Sequence, residues 1–189
     1  MTFYVRKISK NKWKSCINIP LEEYNSDAIT GCTRTNQKKL SVWRTESADI
    51  RQEHNAKILL ALATTMDSPG KIEVLLIPED RVEGVLPLTH EPAKTLINEI
   101  NSYHSDISDL TYKGLGVVSS IIVDVLNEHE EGKRVLFHEL TLIEVLSLLY
   151  RRFGEEYKTV GLSDRVVKEI DKKREAIIKY IQLQDQQKV

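Results

Sequence analysis

Residues 71–78 read Lys-Ile-Glu-Val-Leu-Leu-Ile-Pro, and this apolar run decides how the chain is organised. Between Val74 and Ile77 the run does not alternate between apolar and polar residues. A short continuous apolar segment that follows a turn is typical of a strand covered on both faces. We therefore predict a strand inside a sheet, with a helix packed on it.

A helix is predicted just before this strand, between about Ser47 and Thr65. Ser47 is the expected N-cap. The sequence Asp-Ser-Pro-Gly at 67–70 ends the helix, because proline and glycine do not continue a helix without a cost in free energy. The apolar residues that recur with helical spacing are Ile50, Ile58, Leu59 and Leu62.

The first 45 residues alternate between apolar and polar with a period of two, which favours antiparallel strands. Four such runs begin at Phe3, Trp13, Ala28 and Leu40, and a polar tetrapeptide at 36–39 separates the last two. Together with the strand at 72–77, these runs predict a mostly antiparallel sheet of four to five strands with one covering helix.

Residues 78–88 contain two prolines and Gly84, and they form the candidate boundary between two units. Beyond them the apolar spacing predicts a bundle of about four helices. Thr141 and Glu144 form a capping box for one helix, and Ser163 is the expected N-cap of the last. Residues 134–138 are ambiguous between strand and helix.

These patterns predict an α+β protein. Residues 1–78 form a small sheet domain in this interpretation, and residues 89–189 form a helical domain. One continuous fold over the same residues is the alternative, because the boundary segment is short.

Composition narrows the class of protein further. The chain has 189 residues, of which 41% are hydrophobic and 29% are charged, as in soluble globular proteins. No apolar run approaches the roughly 20 residues that a bilayer requires. The two cysteines give no disulfide framework and no metal pair, and the N-terminus lacks the apolar core of a signal peptide. The expected location is therefore the cytoplasm, with no membrane partner.

Charge is sorted along the chain although the total is only −1. Residues 1–44 hold nine Lys or Arg and three Asp or Glu, whereas residues 45–132 hold six and sixteen. Such asymmetry favours a surface with a preferred partner. We predict a partner protein with a basic surface, bound through acidic side chains, the last helix, or both. The predicted partner-binding residues are Glu91, Glu99, Asp124, Glu128, Val166, Ile170, Ile177 and Ile181.

The basic N-terminal segment supports an alternative, a nucleic-acid-binding module. Lysine and arginine neutralise phosphates, and flat aromatic side chains stack on unpaired bases. Both residue types are interleaved here. The candidate nucleic-acid-binding residues are Arg6, Lys7, Lys10, Lys12, Trp13, Lys14, Arg34, Lys38, Lys39, Trp43 and Arg44.

A third hypothesis is a small nuclease that uses Arg134 and His138. The pair is similar to the arginine and histidine that ribonucleases of the HEPN type carry on one helix, although only three residues separate them here. Three His-Glu dipeptides lack the second histidine that a zinc helix needs, so no metal and no cofactor is predicted. We expect a non-catalytic interaction protein, an accessory or antitoxin-like subunit of an intracellular complex.

Overall fold

The computed structural model describes residues 1–33 and 37–187 and confirms the α+β class. Within this part of the chain, six strands form one sheet in which every neighbouring pair is antiparallel. The strands, in chain order, are β1 (Phe3–Ile8), β2 (Leu40–Thr45), β3 (Ile72–Pro78), β4 (Leu88–His90), β5 (His104–Ile107) and β6 (Phe137–Leu140).

The strand predicted to lie inside the sheet is β3, and the structure confirms this placement. Across the sheet the order is β4-β5-β2-β1-β3-β6, so β3 pairs with β1 on one side and with β6 on the other. All seven residues of β3 are buried, which explains why the segment lacks alternation. The sheet takes strands from both sides of residue 78. The division of the chain into residues 1–78 and 89–189 stays a prediction.

The helices lie in two layers, because both faces of β3 are buried. One layer contains α1, α2 and α4, and the other contains α3, α5 and α6. Short 3-10 segments lie in the connections between strands and helices. The helices are α1 (Lys10–Trp13), α2 (Ser26–Cys32), α3 (Glu53–Thr64), α4 (Tyr112–Glu130), α5 (Leu142–Phe153) and α6 (Asp164–Gln186). The 3-10 segments are Lys14–Cys16, Leu21–Glu23, Glu79–Arg81, Asn98–Tyr103 and Gly154–Lys158.

Two of the predicted N-terminal strands are helices instead. The run that begins at Trp13 lies at the end of α1, where Trp13 and Cys16 are both buried. The run that begins at Ala28 lies in α2, where Ala28 and Cys32 are buried. Buried positions three or four residues apart mark one face of a helix. In segments this short, apolar residues at every second position do not distinguish a strand from a helix.

Helix α3 begins later than predicted, at Glu53. Ser47 does not cap it. Instead, the Ser47 hydroxyl accepts a hydrogen bond from the main-chain N–H of Asp49 at 3.0 Å. The buried side chain of Asn55 donates to the carbonyl oxygens of Ser47 and Asp49 at 3.0 and 2.8 Å, which fixes this turn against the helix.

Residues 88–107 also differ from the prediction of a helical bundle beyond residue 88, since no α-helix lies in this described segment. Strands β4 and β5 flank a 3-10 segment there, and β5 pairs with β2. The predicted caps of the last two helices are confirmed. Thr141 and Glu144 form the capping box of α5, and the Ser163 side chain caps α6.

Within the described ranges, no helix is both long enough and apolar enough to cross a membrane.

A Schellman motif joins α4 to β6. The Gly132 N–H donates to the His129 carbonyl at 3.0 Å, and the Lys133 N–H donates to the Glu128 carbonyl at 2.9 Å. Gly132 has a φ of 69°, the left-handed conformation that glycine adopts most readily. This turn sets the direction in which the chain enters β6.

We predict that Gly132→Ala lowers the free energy of unfolding by about 1 kcal/mol, because an alanine in the left-handed region is strained. A Cβ atom at this position would meet no other atom within 4 Å, so the cost comes from the backbone alone. Urea denaturation measures the difference. Gly70→Ala is the control, since Gly70 is not among the positive-φ residues, and a loss as large in that variant would contradict the prediction.

Candidate interaction surface

Much of the sorted charge is neutralised within the molecule. The basic N-terminal segment pairs with the acidic segment that follows it: Lys10 bonds Glu130 at 2.5 Å, and Lys39 bonds Glu91. Arg44 lies 3.5 Å from Glu79. The sheet brings the two segments together, because β1 and β2 lie next to strands from the acidic segment. Opposite charges along the sequence therefore do not by themselves indicate a binding surface.

The aromatic side chains of the nucleic-acid hypothesis are not available for stacking on bases. Trp13 and Trp43 are core residues with 0% and 4% of their surface exposed. Arg6 is held inside as well, where its guanidinium donates to the carbonyl oxygens of Ser41 and Cys32 at 2.9 Å each. Burial lowers the pKa of Arg6 to about 10. Trp13 and Trp43 therefore belong to the core, and the Arg6 guanidinium is bonded to main-chain carbonyls of the same chain.

The other basic candidates are scattered over the surface. Lys7, Lys12, Lys14 and Lys38 are exposed, and Lys12 lies against Gly31. Arg34 lies outside the described residues. Exposed lysines without an accessible aromatic side chain provide charge for phosphate binding, but they do not provide a surface for base stacking.

The acidic candidates are mostly engaged with basic residues of the same chain. Glu128 bonds Arg81, and Glu99 lies 3.0 Å from Arg152. Glu91 is the partner of Lys39. Asp124 is exposed and lines an open groove beside Arg81. Three of the four acidic candidates are thus paired with basic residues of the same chain.

The apolar candidates in α6 are covered by the protein itself. Val166, Ile170 and Ile177 are buried, and Ile181 is partly buried against the same core. Helix α6 packs along α5, and Arg151 of α5 donates to the carbonyl of Ile181 and to the Asp185 carboxylate at 3.1 and 2.8 Å. The predicted apolar docking stripe is therefore the intramolecular contact between α5 and α6.

The nuclease pair does not lie on a helix. Arg134 precedes β6 and its guanidinium reaches the sulfur of Met1 at 3.5 Å, whereas His138 lies within β6. In an extended chain, residues four apart are about 13 Å apart. The arrangement that the ribonuclease resemblance implies is therefore absent from these described residues. Among the residues that the structure describes, no group of three or more His, Cys, Asp or Glu side chains is placed to hold a metal ion.

A further surface feature is the outer edge of β6. The N–H of Leu76 donates to the carbonyl of Leu136 at 2.8 Å, and this bond fixes which main-chain groups face β3. In an antiparallel ladder the bonded positions alternate, so the N–H and C=O groups of Val135, Phe137 and Glu139 point away from the sheet. Within residues 1–33 and 37–187, none of these three N–H groups has a main-chain partner. We call these outward main-chain groups the β6 edge.

The side chains along the β6 edge are open to solvent at both ends and anchored in the middle. Val135 is 66% exposed, and Glu139 is exposed. Phe137 is partly buried, with the Lys10 ammonium 4.7 Å from the centre of its ring and the His129 ring 5.6 Å away. The β6 edge is thus ordered at Phe137 and accessible to solvent at Val135 and Glu139.

Glu139 is held in place by Lys71. The Lys71 ammonium donates to Glu139 and to the buried Glu73 at 2.7 Å each, and Glu73 lies directly opposite Glu139 across the two strands. The hydrogen bond from Lys71 lowers the pKa of Glu139. The lysine therefore bonds two neighbouring carboxylates at the margin of the sheet.

The opposite margin of the sheet is protected. Strand β4 has three residues, and Pro87 and Pro92 flank it in the sequence. Prolines and short length are the usual means by which proteins prevent pairing at a sheet edge. No proline occurs between residues 133 and 141, next to β6.

Sequence reasoning left residues 134–138 ambiguous and so did not identify the edge. The signal was the spacing of Val135, Phe137 and Glu139 at every second residue. This pattern is only one strand long, and the pattern of a single strand does not reveal which neighbour the strand pairs with.

Comparisons with protein-family models, with curated proteins and with solved structures find no match for this chain.

We predict that Lys71→Met raises the pKa of Glu139, because the carboxylate then faces Glu73 without a cation between them. Wild-type Glu139 has a lowered pKa, so its contribution to stability is present above its ordinary value of 4.5 and is lost as the pH falls through the lowered value. The variant should lose this contribution at neutral pH.

Titration of the Glu139 carboxyl signal by NMR measures the pKa, and urea denaturation at neutral and acidic pH measures the stability. Lys113→Met, which removes an exposed charge at the start of α4, is the matched control. An unchanged Glu139 pKa in the Lys71 variant would contradict the prediction.

Proposed function

We propose that the protein is a non-catalytic interaction protein, an accessory subunit that binds an extended protein segment along the β6 edge. Binding of this type adds a strand to an existing sheet. Main-chain hydrogen bonds supply affinity, and the alternate side chains supply specificity. The proposal places the protein in a cytoplasmic complex, because Cys16 and Cys32 carry free thiols.

The observation that carries the proposal is the unpaired main chain of the β6 edge beside an exposed valine. An exposed strand edge readily pairs with another chain, and proteins normally shorten, charge or cover it. Strand β4 is flanked by two prolines, whereas β6 has four residues and no proline beside it. Val135 adds apolar surface that a bound segment would cover.

Lys71, Lys10 and His129 support the proposal in a second way. They hold Glu139 and Phe137 in place before any partner arrives, through the bonds described above. A strand that is already ordered loses little conformational entropy on binding. The edge is therefore preorganised for an incoming segment.

The proposal predicts that Val135→Asp weakens binding of a protein partner at least tenfold, which corresponds to about 1.4 kcal/mol. The carboxylate places an unpaired charge where the incoming strand would lie. The measurement is affinity capture from nuclease-treated native lysate with the wild-type chain and the variant, followed by quantification of each captured protein.

Val85→Asp is the matched control. Val85 is also an exposed valine, 56% accessible, but it lies between β3 and β4. A captured protein that binds the wild type and the Val85 variant equally, and the Val135 variant weakly, supports the proposal. Equal capture by all three chains would contradict it. Loss of all capture after nuclease treatment would favour the nucleic-acid alternative instead.

A further inference from the structure

We infer that His138 is a pH-sensitive clamp, which holds the turn at residues 47–49 against β6 while the imidazole is neutral and releases this turn when the imidazole is protonated. The inference goes beyond the proposed function, because it does not depend on what binds the β6 edge. It is carried by the two ring nitrogens of His138, which lie in different surroundings.

This turn is held by side chains from two elements. Asn55 of α3, which is fully buried, donates to the carbonyl oxygens of Ser47 and Asp49 at 3.0 and 2.8 Å. The carbonyl oxygen between them, that of Ala48, accepts a hydrogen bond from the ring of His138 in β6. Three consecutive carbonyls of the turn are thus bound, and the middle one joins the turn to the sheet.

The second ring nitrogen of His138 has different surroundings. Nε2 is buried and has no hydrogen-bond partner among the residues that the structure describes. Nδ1 is therefore the nitrogen that donates to Ala48. A neutral imidazole carries only one hydrogen, so in this tautomer Nε2 has a lone pair and no donor to satisfy. The closed turn thus fits one tautomer of the neutral ring.

Protonation places a hydrogen on Nε2. The imidazolium has a donor at each nitrogen, and the donor at Nε2 would be buried without an acceptor, which costs free energy. Burial of the positive charge lowers the pKa of His138, and the opposing effect of the hydrogen bond to Ala48 is smaller. The cost is removed when the turn opens and water reaches the ring. Protonation therefore favours the open turn.

Charged groups on the neighbouring elements do not cancel the effect of burial. Asp49 of the turn attracts the imidazolium, His129 of α4 repels it when both rings are protonated, and each effect on the pKa is smaller than that of burial. Strand β3 presents the apolar Val74 directly opposite the ring. Glu144, in the first turn of α5, accepts hydrogen bonds from the main chain and hydroxyl of Thr141 at 2.7 Å each.

Acid therefore weakens the clamp. Because the pKa of His138 in the folded chain is below its ordinary value of 6.5, the neutral ring stabilises the closed turn fully above that value. This stabilisation is lost as the pH falls from 6.5 through the lowered pKa. Opening of the turn exposes Ala48 and Ile50, which are partly buried against the core while the turn is closed.

NMR of the histidine rings in the wild-type chain tests the chemistry directly. At neutral pH the nitrogen shifts of His138 should show a hydrogen on Nδ1 and none on Nε2, and the pKa of the ring should lie below 6.5. A hydrogen on Nε2 at neutral pH would overturn the inference, as would a pKa of 6.5 or higher.

Amide hydrogen exchange measures the clamp itself. The amides of Ser47, Asp49, Arg51 and Gln52 are hydrogen-bonded in the closed turn. Relative to an unstructured chain at the same pH, their protection in the wild type should fall about threefold or more between about pH 7.5 and about pH 5. Protection that does not change with pH contradicts the inference.

His138→Gln supplies an amide that can donate to Ala48 but does not titrate, so its turn should keep the same protection at both pH values. His90→Gln is the matched control, because His90 is an exposed histidine of β4, and this variant should behave as the wild type. A His138 variant that still loses protection in acid would exclude the clamp. Thermal unfolding shows whether each variant is folded, and the ring titration of the wild type decides the question if the His138 variant is not.

Discussion

The burial of β3 on both faces is the constraint on which the rest of the structure depends. A strand of seven buried residues requires a neighbour on each side and a layer of helices above and below. Strands β1 and β6 meet the first requirement, and helices α4 and α3 meet the second. Because β6 is the last strand on that side, the position of β3 also determines where the sheet ends. The location of the candidate interaction surface therefore follows from the pairing of β3 with β6.

Several charged residues form ion pairs within the chain, whereas the sequence suggested that they form a binding surface. The ion pairs Lys10–Glu130, Lys39–Glu91 and Arg44–Glu79 join segments that are far apart in the chain but close in the sheet. Exposed pairs of this kind contribute little stability individually. They show that part of the charge that is sorted along the sequence is paired within the fold. What the surface then offers is a main-chain edge with a pattern of small local charges.

The central strand, the antiparallel sheet, the capping box at Thr141 and the cap at Ser163 could all be predicted from sequence. Each depends on residues that are close together, through local apolar runs or local hydrogen bonds. Three features could not be predicted. The runs at Trp13 and Ala28 are too short for their period to decide between strand and helix. Strands β4 and β5 depend on pairing with β2, and such pairing is not visible in the segment itself. The internal salt bridges depend on the same long-range contacts, so the charged candidates were interpreted as a binding surface.

The position of β6 also has a consequence for how the chain reaches its folded state. Strand β3 is synthesised before α4 and β6, which together supply one of its edges and part of its cover. Until residues 112–140 leave the ribosome, the most apolar strand of the protein has an open side, which is the condition in which nascent chains aggregate. The order of elements along the chain thus leaves the most apolar strand with an unpaired edge until synthesis of residues 112–140 is complete.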